Sequence, residues 1–425
     1  MSNKTLILLF LIFQLSAQLA VSENKTHLPD LIQDAFDNNP AIQSAKAQWA
    51  QSIERYPQAT SLDDPIFNVS YYIENVETRV GPQNYTVGIT QKFPFPGTLR
   101  QKGRVVEKDI QIAALQYEIS VRNVIEELKE AVYEFQYLDS AIEITRQNQT
   151  LLQEILSLAQ VQYADQESPL NDVFRAESQL AQLDYDLITI RELRVIQQSV
   201  INSILNQPPD TPIGAIAAPQ PQEATFTIQQ LDNLVLNRNQ EIRLAHLGVE
   251  KSVESIRLAK QRNLPSFSIG ANFIDTGHAL NRNTLDSGKD PIILSGGISI
   301  PLWSGKNKAR VRYAESGKTA AEHQQSSIAN KTQVDLRKIF FKLQNAQRLV
   351  ALYRDHLIPQ AAHSMQIAEE WNRTQKGSLS EILEVQSVWL NFNLAWLRAQ
   401  TDYAQNLAQL ERLLGGSLTS EEMEQ

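Results

Sequence analysis

The sequence predicts a mainly α-helical protein with a small β portion suited to a membrane barrel, built as two copies of one unit. Three observations predict it: an internal duplication, proline-poor stretches long enough for extended helical hairpins, and four short runs of alternating polarity.

The duplication comes first because it sets the frame. Leu31–Ile42, LIQDAFDNNPAI, resembles Leu231–Ile242, LDNLVLNRNQEI. The register then holds, with Ala45 matching Ala245, Ala59 matching Ala259, and Pro65-x-Phe67 matching Pro265-x-Phe267. Further on, Leu170–Phe174 parallels Leu379–Leu383. Two copies are too few for a solenoid, so a pseudo-twofold unit is the reading. The repeats are expected at 23–207 and 228–414, separated by a proline-rich linker at 208–227 and followed by a flexible tail at 415–425. Prolines so spaced cannot continue a helix and favour extended backbone.

Each half is expected to run helix, strand pair, then long helical hairpin. From Thr98 to Ser168 there is no proline and one glycine, Gly103, while Leu128, Val132, Phe135, Leu138 and Ile142 recur at helical spacing. A helix from Thr98 to Ala164 would be about 100 Å long, which points to a coiled coil or extended bundle. Ser168-Pro169 then reads as N-cap and first-turn proline of a second helix running to Gln207. The second half repeats this from Lys306 to Gly377 and from Ser378 to Leu414, with Pro359 expected to bend the first of the two helices.

The strands are expected at 66–74, 85–93, 267–273 and 292–300. In the first, Phe67, Val69, Tyr71 and Ile73 alternate with Asn68, Ser70, Tyr72 and Glu74; in the last, Ile292, Leu294, Ile298 and Ile300 oppose Ser295, Gly297 and Ser299. Period two gives one apolar and one small or polar face. A half-buried soluble sheet has the same alternation. Transmembrane strands have this length too, with aromatics on or near the apolar face. Four strands cannot close a barrel, since about eight is the practical minimum, so a membrane reading requires oligomerisation; three chains would give about twelve strands. Polar turns are expected at Glu77–Asn84 and Thr276–Asp290.

The N-terminus reads as an export signal over 1–22, with Lys4, the apolar run Thr5–Phe13, and small residues at Ala20 and Ser22. That run is too short to span the hydrocarbon layer, and no later segment is long and apolar enough, so any membrane part must be β-strand. With no cysteine, disulfides, thiolate metal sites and cysteine nucleophiles are excluded. The net charge of −9 speaks against nucleic acid. Six histidines are scattered; His356 and His363 would share a helical face, more simply as an ordinary pair than as metal ligands. No nucleophile–base pair or phosphate loop occurs, so neither an enzyme nor a cofactor is expected.

Three segments carry a family resemblance: Gln91–Gly97, QKFPFPG; its counterpart Ile300–Gly305, IPLWSG; and Leu357-Ile-Pro-Gln-Ala361 leading through Gly377 to Leu379–Gln386, LSEILEVQ. In order and behind a signal peptide, they resemble the TolC family of outer-membrane efflux ducts, and its heavy-metal (cobalt–zinc–cadmium type) branch, over about Leu28 to Gly415. The resemblance implies a homotrimer, a shared twelve-stranded barrel in outer-membrane lipid, and a long periplasmic α-helical barrel. A periplasmic adaptor and an inner-membrane efflux pump are its implied partners, and divalent heavy-metal cations its implied cargo. Two departures stand out: no cysteine is available for N-terminal lipidation, and Trp371–Gly377 is looser than the family's aromatic-to-glycine turn.

By the same resemblance, Glu381 and Glu384 occupy acidic positions near the periplasmic entrance, where three chains would form a cation-attracting ring. Ser378-x-x-Glu381 is also a capping box, so Glu381 suits both roles. Asp172, the first-half counterpart of Glu381, reads as a first-turn charge on an outer hairpin, and Asp172, Arg373 and Lys376 are candidate tip or adaptor contacts; a solvated turn explains Arg373 and Lys376 as well. Trp389 and Trp396, seven apart, read as helix packing. A duct for organic solutes or exported peptides, and a soluble periplasmic coiled-coil adaptor, are the competing readings.

Overall fold

The computed structural model describes residues 27–166, 168–216, 226–281, 283–374 and 378–416. The first half contains α1 (Leu28–Asn38), α2 (Pro40–Thr60), β1 (Ile66–Thr78), β2 (Gly81–Phe93), α3 (Thr98–Ala164) and α4 (Leu170–Ile204). The second half contains α5 (Ile228–Arg238), α6 (Gln240–Gln261), β3 (Ser266–Thr276), β4 (Ile292–Ser299), α7 (Ser304–Leu352), a π-helical turn (Tyr353–Leu357), α8 (Ile358–Arg373) and α9 (Leu379–Leu414). The expected signal segment lies outside the described residues, as do most of the expected tail and the middle of the expected linker.

The chain forms two compact units, and each draws on both halves of the sequence. One holds the stretch ending at Ser44, Ile119–Asn239, and everything from Lys331; the other holds Ala45–Glu118 and Gln240–Asn330.

In the first unit the expected stripe of α3 is buried: Leu128, Val132 and Phe135 are 0% exposed. A second cluster joins Leu152, Ile155 and Ala159 of α3 to Val173, Ala176 and Leu183 of α4 and to Leu379, Ile382, Leu383 and Leu390 of α9. Ion pairs flank the core, Lys129 with Glu411 at 2.6 Å and Arg398 with Glu134 at 2.6 Å. Arg194 pairs with Asp139 and lies over the Phe135 ring, 4.4 Å from its centroid.

The single leading helix expected in each half is two helices, broken at Asn39 and Asn239. Asn39 leaves helical geometry with ψ 125°, and its Oδ1 accepts from the N–H groups of Ala41 (2.9 Å) and Ile42 (3.3 Å). Its Nδ2 donates to the carbonyl of Ile204, at the end of α4, at 2.8 Å. Asn239 repeats the outward bond, donating to the carbonyl of Leu413 near the end of α9 at 2.8 Å. Those carbonyls belong to the last turns of long helices, where no intrahelical donor remains.

The long helices also end alike. α4 stops at Ile204 rather than Gln207, because Asn206 takes a left-handed conformation (φ 57°) and Gln207 N–H returns to the carbonyl of Asn202 at 2.8 Å. α9 stops at Gly415 (φ 76°), with Gly416 N–H donating to the Glu411 carbonyl at 3.2 Å. Both are Schellman closures. The bend expected at Pro359 takes the form of the π-turn before it, in which Ile358 N–H reaches back to the carbonyl of Tyr353. A proline ring crowds the carbonyl four residues earlier, here Asp355, and widening the turn relieves that crowding. His356 sits within this turn, so a regular helical face shared with His363 is interrupted.

In the second unit, α2, α3 and α6 are tied together by charge. Asp109 receives Lys251 at 2.6 Å and Arg55 at 3.9 Å, and Lys108 meets Glu250 at 2.7 Å. Trp49 stacks on Tyr117 with centroids 5.9 Å apart. The same unit contains all four strands.

Candidate channel wall and tip

The strands form one antiparallel sheet in the order β1-β2-β3-β4. Its register aligns the alternation across every strand. Val69 faces Val87, Val87 faces Phe273, and Phe273 faces Ile292. One row over, Phe67 faces Ile89, Ile89 faces Ala271, and Ala271 faces Leu294. The opposite face carries Asn68, Gly88, Asn272 and Ile293, then Thr90, Gly270 and Ser295. Gly88 leaves room for a neighbouring side chain here: a Cβ would stand 2.0 Å from Asn272 Oδ1 and push that amide aside. The wall is therefore apolar on one side, and mainly small or polar on the other.

The apolar side is bare: Tyr71 is 73% exposed, Ile73 93%, Ile292 72% and Leu294 81%. A soluble sheet buries that face, because each large side chain left in water forfeits about 1.5–3 kcal/mol. β1 and β4 each pair on one side only, leaving two ladder edges with unpaired backbone groups. The β1–β2 turn is tighter than expected, since β1 runs to Thr78 and β2 begins at Gly81, where Thr78 Oγ1 donates to the Gly81 carbonyl at 2.6 Å. The β3–β4 turn folds over it: Gly277 N–H donates to the Pro82 carbonyl at 2.7 Å and Gly288 N–H to the Val80 carbonyl at 2.8 Å. Among the described residues no helix is long and apolar enough to cross a membrane.

The turns joining α3 to α4 and α8 to α9 lie in the first unit. Ser378 and Glu381 form the capping box, each backbone N–H meeting the other's side chain at 3.4 Å. Glu381 and Glu384 are both exposed, on the side of α9 away from buried Ile382 and Leu383. Asp172 lies in the first turn of α4 and is buried, 5% exposed. It accepts from Ser168 Oγ at 2.9 Å and Ser380 Oγ at 2.8 Å, while Arg175 Nη1 donates to Ser380 Oγ at 3.0 Å. Ser168 therefore serves Asp172 instead of capping α4, whose N-cap is Pro169. Arg373 ends α8, but its side chain and Lys376 lie outside the described residues.

Two further polar links join the helices below the tip, and the sequence reading missed both. Gln162 Nε2 donates to Asn372 Oδ1 at 3.0 Å, and Gln386 Nε2 to Asn148 Oδ1 at 3.1 Å. Their only signal was amide residues at helical positions otherwise occupied by core residues. Trp389 and Trp396 are half-buried along α9, consistent with packing.

The family model of outer membrane efflux proteins matches the chain twice, over residues 31–207 and 231–416. The chain belongs to the outer membrane efflux protein family. It is thus an outer-membrane efflux protein and not an enzyme, which displaces the soluble-adaptor reading. Among solved structures, it is similar to the outer membrane protein VceC of Vibrio cholerae, with TM-score 0.76 and 18% identity over 92% of this chain and 97% of that one. CusC, whose structures concern folding and transmembrane channel formation, matches at TM-score 0.77 and 13% identity, covering 93% of each chain. The open state of the MtrE outer membrane channel of Neisseria gonorrhoeae matches at TM-score 0.73 and 16% identity, covering 92% of this chain and 89% of that chain. No curated protein matches by sequence.

Proposed function

We propose that this chain assembles as a homotrimer and serves as the outer-membrane exit duct of a tripartite efflux system. Four strands from each protomer form a barrel of about twelve strands, and the long helices form a periplasmic tunnel. A periplasmic adaptor joins the tunnel to an inner-membrane pump, which supplies the energy. One observation carries this reading: a sheet with a bare apolar face and two unpaired edges. Pairing β1 of one protomer with β4 of the next removes both edges, and lipid covers the exposed face.

The cargo proposed is a divalent heavy-metal cation. Support comes from Gln91–Gly97, which resembles the heavy-metal branch, and from the exposed pair Glu381 and Glu384. Three protomers would bring about six such carboxylates around the entrance, which draws cations in without coordinating them. Arg373 and Lys376, close to them in sequence, are proposed as adaptor contacts. Selection among metals then belongs to the pump.

The test is fractionation of the expressed protein, with unboiled gel migration and crosslinking of the membrane pellet. Recovery from the outer membrane as a trimer is the expected result. A soluble monomer sinks the duct. Metal sensitivity of a deletion strain, against unchanged tolerance of organic toxicants, is the expected result for the cargo.

A further inference from the structure

The stretches that lead from strand to long helix carry a charge pattern that the duct itself does not use. The whole chain has net charge −9, yet Pro291–Ala314 contains no acidic residue and four basic ones, Lys306, Lys308, Arg310 and Arg312. Val80–Val106 likewise contains no acidic residue, with Lys92, Arg100, Lys102 and Arg104. Cations in the opening turns of a helix oppose its dipole, which favours acids there.

The β4–α7 corner is firmly built. Leu302 N–H donates to the Ile300 carbonyl at 3.0 Å, and Asn307 Nδ2 to the Pro301 carbonyl at 2.9 Å. Arg310 is used by the fold, donating to the Arg262 carbonyl at 3.0 Å and Asn263 Oδ1 at 2.6 Å. Lys306, Lys308 and Arg312 remain exposed, and among the described residues the first ion pair on α7 is Lys318 with Glu322 at 2.6 Å. Directly before them the apolar face of β4 continues through Ile298 (64% exposed) and Ile300 (60%) to Leu302 and Trp303, both 76% exposed.

We propose that this corner binds anionic phospholipid headgroups in the periplasmic leaflet of the outer membrane. The inference rests on reading the sheet as a barrel wall. Leu302 and Trp303 enter the boundary of the acyl layer, where amphipathic aromatics settle. Lys306, Lys308 and Arg312 then meet lipid phosphates. Along α7 these residues lie roughly 3, 6 and 12 Å beyond Ser304, against a headgroup layer about 5–8 Å thick. Helical side chains lean toward the N-terminus, and long cationic ones snorkel, which brings Arg312 within reach. A lipid fits better than a protein partner because Leu302 and Trp303, directly before the cations, continue the surface that lipid already covers.

The test compares the full-length trimer with a Lys306→Gln/Lys308→Gln/Arg312→Gln variant in phosphatidylcholine nanodiscs with and without phosphatidylglycerol. Native mass spectrometry reads the lipid retained. Wild type should retain phosphatidylglycerol preferentially, with the preference falling about fivefold per charge removed and fading in about 0.5 M salt. Equal phosphatidylglycerol retention by both proteins overturns the proposal. So does unchanged lipid preference combined with weaker adaptor capture, which would assign the charges to a protein. Failure of both proteins to enter pure phosphatidylcholine is a separate result: it sinks the barrel wall first and this inference with it.

Discussion

Asp172 on α4 accepts a hydrogen bond from the Ser380 hydroxyl of α9 at 2.8 Å, so a carboxylate 5% exposed joins the tips of the two helical hairpins. Asp172→Ala leaves the Ser168 and Ser380 hydroxyls without this acceptor, at about 1–3 kcal/mol. If the link holds the entrance closed, single-channel conductance in planar bilayers should rise, with Asp172→Asn intermediate because it keeps one acceptor oxygen. Lowered thermal stability with unchanged conductance would leave Asp172 a purely structural role.

Asn39 and Asn239 make matching bonds to the carbonyls of Ile204 and Leu413, both at 2.8 Å. Replacing either with alanine should destabilise the protein by about 1–3 kcal/mol through an orphaned buried carbonyl. The pair share no partner in these bonds, so the double variant should lose about the sum in chemical unfolding.

Leu294 and Ser295 are neighbours on opposite faces of β4. Leu294 is 81% exposed, so arginine there would be harmless in a soluble sheet. In a barrel wall, Leu294→Arg should cost about 2–4 kcal/mol near the bilayer midplane and cut trimer recovery from membranes. Ser295→Arg, facing the polar side, should be recovered better; equal recovery of both variants would count against the wall.

Glu126 lies 3.6 Å from Arg412. Burial pushes its carboxyl up to about 7 from an ordinary 4.5, against the downward pull of Arg412 and with help from Glu130. As pH rises from 4.5 toward 7 the unfolded chain sheds this proton first, so the stability contributed by Glu126 declines over that window. Glu126→Gln should therefore be the more stable protein above about pH 7, with the gap closing near pH 5. Melting curves across that range check the sign.

Glu381→Gln/Glu384→Gln should lower cation selectivity, read as a reversal potential in a salt gradient. Glutamine still serves the Ser378 capping box, so thermal stability should move little.

Much of this fold is legible along the chain. The bounds of α3 follow from an uninterrupted stretch ending near Ser168-Pro169, and the four strands from period-two alternation. The apolar stripe from Leu128 to Ile142 is buried as its spacing predicts. At the tip, Ser378 and Glu381 form the capping box that their spacing announces.

What escaped the sequence depends on partners far along the chain. Asn39 leaves the helix for a local reason, since it precedes Pro40 and caps the next turn with its own side chain; what the sequence did not show is that its Nδ2 also reaches the Ile204 carbonyl at the end of α4, 165 residues away. Asp172 matched Glu381 in the repeat, yet one is buried and the other exposed: α9 brings Ser380 to the first, while the second meets only its own capping box among the described residues. Periodicity and capping are settled within a few residues, so the sequence determined the helices, the strands and their two-faced character. Which helix face meets which, and so which acid becomes a link and which stays free to face solvent, was decided only by tertiary packing, because burial depends on the surface that arrives opposite.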